Sequence, residues 1–184
     1  MNIIKYETPE NQLSQFGSAS TGKPVIFLAG PTVRGHQTHL TSWRREAENL
    51  FKEYKFDGAI IVPEFESKTE SDQYRFDIPE WEFAGLQMAD VILFWVARTR
   101  ELIALTTNFE LGYWMGRERD KIVYGRPEDA YRITYGDIMW KADHVNRQPE
   151  IGTVASLHDD TIYNTLGGTV EAAIELAQKR IWIN

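Results

Sequence analysis

The chain has 184 residues, with 20 Lys and Arg set against 27 Asp and Glu, for a formal net charge of −7. That balance argues against a broad surface for nucleic-acid polymers, which needs cations to displace phosphate counterions, but leaves room for one local basic pocket. The absence of cysteine removes disulfides, thiolate catalysis and cysteine-ligated metals, while a 42% hydrophobic content is enough for the core of a single domain spanning 1–184.

In chain order, residues 1–23 are polar and read as a leader or an added edge element, with turn-formers at Thr8-Pro9 and Gly17-Ser18. They contain no apolar run of signal-peptide length, and no window has the roughly 18 apolar residues of a membrane helix. A cytoplasmic protein without membrane partners is expected. Val25 to Ala29, Ala59 to Val62 and Val91 to Val96 are continuous apolar runs, with Ile122 to Tyr124 as a fourth. Unbroken β-branched and aromatic runs suit parallel strands covered on both faces.

Helical patterns lie between them. Thr41 to Tyr54 sets Trp43, Ala47, Leu50 and Tyr54 on one stripe, and Asp77 to Ala89 opens with Asp77-Ile78-Pro79-Glu80, a helix-start signature. Thr107 to Arg119 follows the third strand and Gly168 to Arg180 closes the chain. Residues 125 to 165 form an insertion rich in turns and charge, with one short helical pattern around Asp137 to His144. Alternating strands and helices predict an α/β layer fold with right-handed crossovers. Ligands of such folds bind beyond the carboxyl ends of the strands, which here means Gly30 to Gly35, Pro63 to Phe76 and Ala97 to Glu110.

Each motif in these segments has two readings. Gly30-Pro31, followed by Arg34-Gly35, is either a plain strand exit or a close-approach loop in which Arg34 grips a phosphate or a sugar hydroxyl. It is neither a dinucleotide fingerprint nor a P-loop, because the further glycines and the Gly-Lys-Ser/Thr are missing. Glu82, beside Trp81, is either an exposed helix-start carboxylate or a half-buried acid with a raised pKa, suited to proton donation. Glu110 is either the far member of a Thr107-x-x-Glu110 capping box or an ionised nucleophile at a helix start. Trp43 and Trp81 are either core residues or platforms for a base. His36-x-x-His39 lacks the partners of a metal site, so no metal is expected.

Phe-Leu-Ala-Gly-Pro at 27–31, Trp43-Arg44, Trp81-Glu82, Ala89-Asp90-Val91-Ile92-Leu93-Phe94-Trp95 and Thr107-Asn108-Phe109-Glu110-Leu111-Gly112 occur in this order. Together they resemble the nucleoside 2-deoxyribosyltransferase superfamily, in its 2-deoxyribosyltransferase-like branch, from Val25 to about Arg126. The Gly30 to Gly35 loop is also similar to that of nucleoside 5′-monophosphate N-glycosidases.

The resemblance implies a three-layer flavodoxin- or Rossmann-like fold whose five-stranded parallel sheet has the order 2-1-3-4-5. It implies a homo-oligomer and a retaining double displacement on a nucleoside or nucleotide, with no cofactor. Glu110 matches the nucleophile and Glu82 the acid that binds or protonates the base. Gly30, Pro31, Arg34, Gly35, Trp43, Trp81 and Asn108 are the expected substrate-binding residues. Phe27 stands where the transferases carry tyrosine, and Ala104 where they carry an aspartate six residues before the nucleophile. Both changes favour hydrolysis over base exchange. An NAD-type glycohydrolase and a non-catalytic nucleotide-binding module are the alternative functions.

Overall fold

The computed structural model of the protein describes residues 1–6, 22–33, 37, 39–64, 77–146 and 161–181. Its elements run β1 (Asn2–Lys5), β2 (Val25–Ala29), α1 (Trp43–Glu53), β3 (Ala59–Val62), α2 (Asp77–Met88), β4 (Val91–Trp95), α3 (Leu105–Glu118), a 3₁₀ turn (Arg119–Lys121), β5 (Ile122–Gly125), α4 (Thr134–Asn146) and α5 (Leu166–Ile181). The strands make one five-stranded sheet in the order β1-β3-β2-β4-β5, and every pairing is parallel.

The apolar runs become central strands because both faces of the sheet are covered. Alternate residues of β2, β3 and β4 enter opposite cores, Phe27, Ile61 and Phe94 on one side, Ile26, Ile60 and Leu93 on the other. Each fully buried side chain of this kind contributes roughly 1.5–3 kcal/mol. Helices α2, α3 and α4 cover the first face through Trp81, Trp114 and Trp140. Helices α1 and α5 cover the second through Ala47, Phe51, Val170 and Ile174.

The α/β class and the five-stranded parallel sheet agree with expectation, and the strands from Val25 onward keep the expected neighbours. The fifth strand has a different source. Asn2–Lys5 pairs with β3, from Asn2 opposite Ala59 to Lys5 opposite Val62, so the amino-terminal stretch supplies an edge strand. At the other edge, among the described residues, β5 has a single parallel bridge from Gly125 to Tyr163. Helix α1 also ends earlier than its stripe suggested. Tyr54 is its carboxyl cap and is 41% exposed, while Phe51 completes the buried stripe. Among the described residues no helix is long and apolar enough to cross a membrane.

Candidate active site

Strand order reverses at β2. The chain leaves it through α1 for β3 on one side, then returns through α2 to β4 on the other, which opens a crevice beyond Ala29 and Trp95. Gly30 opens the loop there with a φ of +154°. A Cβ on it would stand 2.4 Å from the Trp95 carbonyl oxygen and 2.8 Å from the Trp43 ring, so only glycine lets the backbone lie between those two tryptophans.

The loop is held from behind by α1. Ser42 caps that helix by accepting from the Arg44 amide at 3.2 Å. Trp43 Nε1 donates to the Pro31 carbonyl at 3.0 Å. Arg44, 1% exposed, donates from Nε to the Leu28 carbonyl at 3.0 Å, from Nη2 to Gly30 at 2.9 Å and from Nη1 to Pro31 at 3.1 Å. Its Nη1 also reaches Thr32 Oγ1 at 3.2 Å and Glu64 Oε1 at 3.1 Å, and Ser42 Oγ donates to that same Glu64 oxygen at 2.5 Å. Gly30 and Pro31 therefore shape the crevice through their backbone. Arg34 and Gly35 lie outside the described residues.

Two glutamates face this point from the other side of the sheet. Glu82 is the sixth residue of α2 and Glu110 the sixth of α3. Both helices pack on the same face of the sheet, and the two carboxylates are close enough for the charge of Glu82 to act on Glu110. Glu110 is raised to about 7 from an ordinary 4.5, by burial first and by the charge of Glu82 second, with Arg44 opposing. Burial lowers the pKa of Arg44, against the charges of Glu64, Glu82 and Glu110.

The capping box does not form. Helix α3 begins at Leu105, with Ala104 at the cap in the left-handed conformation and no side-chain cap bond. Thr107 lies inside the helix and is buried, so Glu110 sits in the second turn, away from the amide groups that need a cap.

Asn108 is exposed on the first turn of α3, and its Oδ1 accepts from Arg98 Nη2. Arg98 is 7% exposed and also donates to the Arg132 carbonyl at 3.3 Å. Its Nε is buried without an acceptor among the described residues. The β2 and β4 exits are tied together by Gln37 Nε2 donating to the Glu101 carbonyl at 2.8 Å and by His39 beside the Glu101 carboxylate at 2.6 Å. Beyond β5, Tyr124 donates to Asp137 at 3.0 Å, and Arg126 grips that carboxylate at 2.8 Å.

The two tryptophans are not brought together. Trp81 is 1% exposed and meets Tyr6 edge-on at 5.6 Å, whereas Trp43 belongs to the core of the opposite sheet face. Phe27 is buried, with its ring against Gly85. Sequence reasoning named Arg44 only as part of a motif and passed over Glu64 and Arg98. The available signal was position, since each lies just beyond a strand end or on the first turn of a helix facing one. Among the described residues no group of three or more His, Cys, Asp or Glu is arranged to hold a metal ion. A surface cavity of about 420 Å³ lies elsewhere, lined by Met1, Ile3, Phe51, Lys52, Lys55, Phe56 and Asp57.

A family model described as nucleoside 2-deoxyribosyltransferase-like matches residues 23–128, more than half of the chain, including Gly30, Arg44, Glu82 and Glu110. None of the curated proteins matches the chain.

Proposed function

The chain belongs to the nucleoside 2-deoxyribosyltransferase-like family, and we propose that it cleaves the N-glycosidic bond of a (deoxy)nucleoside or its 5′-monophosphate through Glu110 and Glu82. Family membership supports nucleoside glycosyl transfer or N-glycoside cleavage in general. The observation that supports the specific reading is a pair of glutamates on neighbouring helices of one sheet face, with repulsion from Glu82 helping to raise Glu110 to about 7.

The chemistry needs one proton on the pair. One carboxylate must be ionised to attack the anomeric carbon, and the other protonated to serve the leaving base. Glu110, held at about 7, is ionised in a substantial share of molecules at neutral pH, and this reading assigns the transferable proton to Glu82. As the Glu110 oxygen bonds to the anomeric carbon, the carbon–nitrogen bond breaks. Its electron pair goes to the base, which takes the proton from Glu82. Water then attacks the same carbon, gives its proton to Glu82 and releases Glu110 with the ester's electron pair, retaining configuration. Asn108, steadied by Arg98, serves as a polar contact to the sugar. Arg34 is assigned to a 5′-phosphate.

The protein acts as a homo-oligomer in this reading. Leu105 and Phe109 on α3 are 73% and 78% exposed, Phe83, Tyr135, Ile138 and Met139 on the neighbouring helices are also exposed, and the space above Gly112 and Gly116 is open. A Phe109→Glu change should lower the sedimenting mass, and an unchanged mass would exclude this face.

Chromatography of free base from a panel of nucleosides and 5′-monophosphates, with and without an acceptor base, tests the function. Base release that disappears in Glu110→Gln is the expected result, and preference for monophosphates should vanish in Arg34→Ala. Phe27 and Ala104 favour a second reading, a nucleotide-binding module without chemistry. Ligand binding with no release across the panel and NAD would establish it, and nicotinamide release would point to an NAD-type glycohydrolase instead.

A further inference from the structure

Arg44 stands on the first turn of α1, across the end of β2 from Glu82 and Glu110. Its three guanidinium nitrogens are all engaged, and three of the five acceptors are main-chain carbonyls of the β2 exit, Leu28, Gly30 and Pro31. A guanidinium bound this way cannot swing aside. Neutral carbonyls orient its charge without cancelling it, and among the described residues Glu64 is the one carboxylate in direct contact. Lysine could not reach these divergent acceptors together.

We propose that Arg44 is a positioning residue for the carboxylate pair: it pins the β2 exit against α1 and supplies, across the strand end, the fixed positive charge that Glu82 and Glu110 face together. Among the described residues, the charges acting on Glu110 are Glu82 from α2, which repels it, and Arg44 from α1, which attracts it. Those acting on Arg44, again among the described residues, are Glu64 beyond β3, Glu82 and Glu110. Arg98, another cation at this edge of the sheet, is tied to Asn108 and Arg132. Without Arg44 the half-buried Glu110 would meet the repulsion of Glu82 unopposed and hold its proton more tightly. The proposal rests on the N-glycosidase reading in taking Glu110 as the nucleophile, but its electrostatic content can be measured without turnover.

The test is a ¹³C NMR titration of the Glu110 carboxyl in glutamate-labelled full-length protein, assigned with Glu110→Gln. Arg44→Met should raise the midpoint by about one pH unit or more. Arg44→Lys, which keeps the charge and loses the fork, should hold it nearer the wild-type value. Glu64→Gln keeps an acceptor for Ser42 and Arg44 but removes the counter-charge, and should lower the midpoint. It decides the matter if Arg44→Met does not fold. An unmoved midpoint in Arg44→Met, a value as high in Arg44→Lys as in Arg44→Met, or an unmoved or raised midpoint in Glu64→Gln would each overturn the proposal. Midpoints that shift as expected in a protein that releases no base would support Arg44's role and sink the N-glycosidase reading. Base release with unmoved midpoints would do the reverse.

Discussion

Replacing Glu110 with glutamine should stabilise the protein at alkaline pH while removing the proposed nucleophile. Burial and the charge of Glu82 hold this carboxyl at about 7, against an ordinary 4.5. A carboxyl with a raised folded value binds its proton more tightly in the folded chain, so stability falls as pH climbs from the unfolded value to the folded one. Below about pH 4.5 the side chain is neutral in both states, and glutamate and glutamine should cost the same. Above about pH 7 the folded protein carries a charge that its surroundings resist, and the whole difference is expressed. At about 1.4 kcal/mol per pH unit, the rise from 4.5 to about 7 sets a ceiling of about 3 kcal/mol. Solvent at this half-buried site reduces the expected gain to ~1–2 kcal/mol, or several degrees in Tm for a chain of this size. Urea denaturation of both proteins at about pH 4.5, about pH 6 and about pH 8.5 would measure it. An offset of the same size at all three, or a less stable glutamine variant at the highest, would refute the reasoning.

Gly30→Ala would drive a methyl group into the Trp95 carbonyl and the Trp43 ring; a loss of ~2–4 kcal/mol in chemical denaturation is expected. Ala104 holds φ and ψ of 55° each, so Ala104→Gly should relieve left-handed strain and gain about 0.5 kcal/mol, read as a rise in Tm. Burial, with the Asp137 carboxylate second, pushes the Tyr124 hydroxyl well above its usual range. Tyr124→Phe would leave Asp137 to Arg126 alone and should cost ~1–2 kcal/mol by urea denaturation.

The strands were legible because β2, β3, β4 and β5 are buried along their whole length, and double-sided burial writes itself as a continuous apolar run. The edge strand β1 has a mixed pattern, exposed at Asn2 and buried at Ile4, and nothing local separates four such residues from a polar leader. The start of α3 was misread for a related reason. Thr107 and Glu110 have the spacing of a capping box, but a left-handed turn at Ala104 starts the helix at Leu105, and backbone conformation at an alanine leaves no mark in the sequence. Glu82 and Glu110 could be nominated by type and place, whereas the charge that each exerts on Arg44, and Glu82 on Glu110, depends on how three helices pack around one sheet edge. Trp43 and Trp81 look alike as letters, and only the sheet between them assigns each to its own core.

Strand β1 also governs how the molecule meets its own copies. It covers Ala59-Ile60-Ile61-Val62, a β-branched stretch with no charge and no proline, the kind of segment that adds strands from other chains when its edge is bare. Its register begins at Asn2 opposite Ala59, so this strand must wait for a partner more than fifty residues later in the chain. Tyr6, packed on Trp81, anchors the end of this short cover. Trimming these few residues should bare the β3 edge and turn it into a template for aggregation. In this fold, the edge farthest from β5 is where strand β1 stands between β3 and strand addition by other chains.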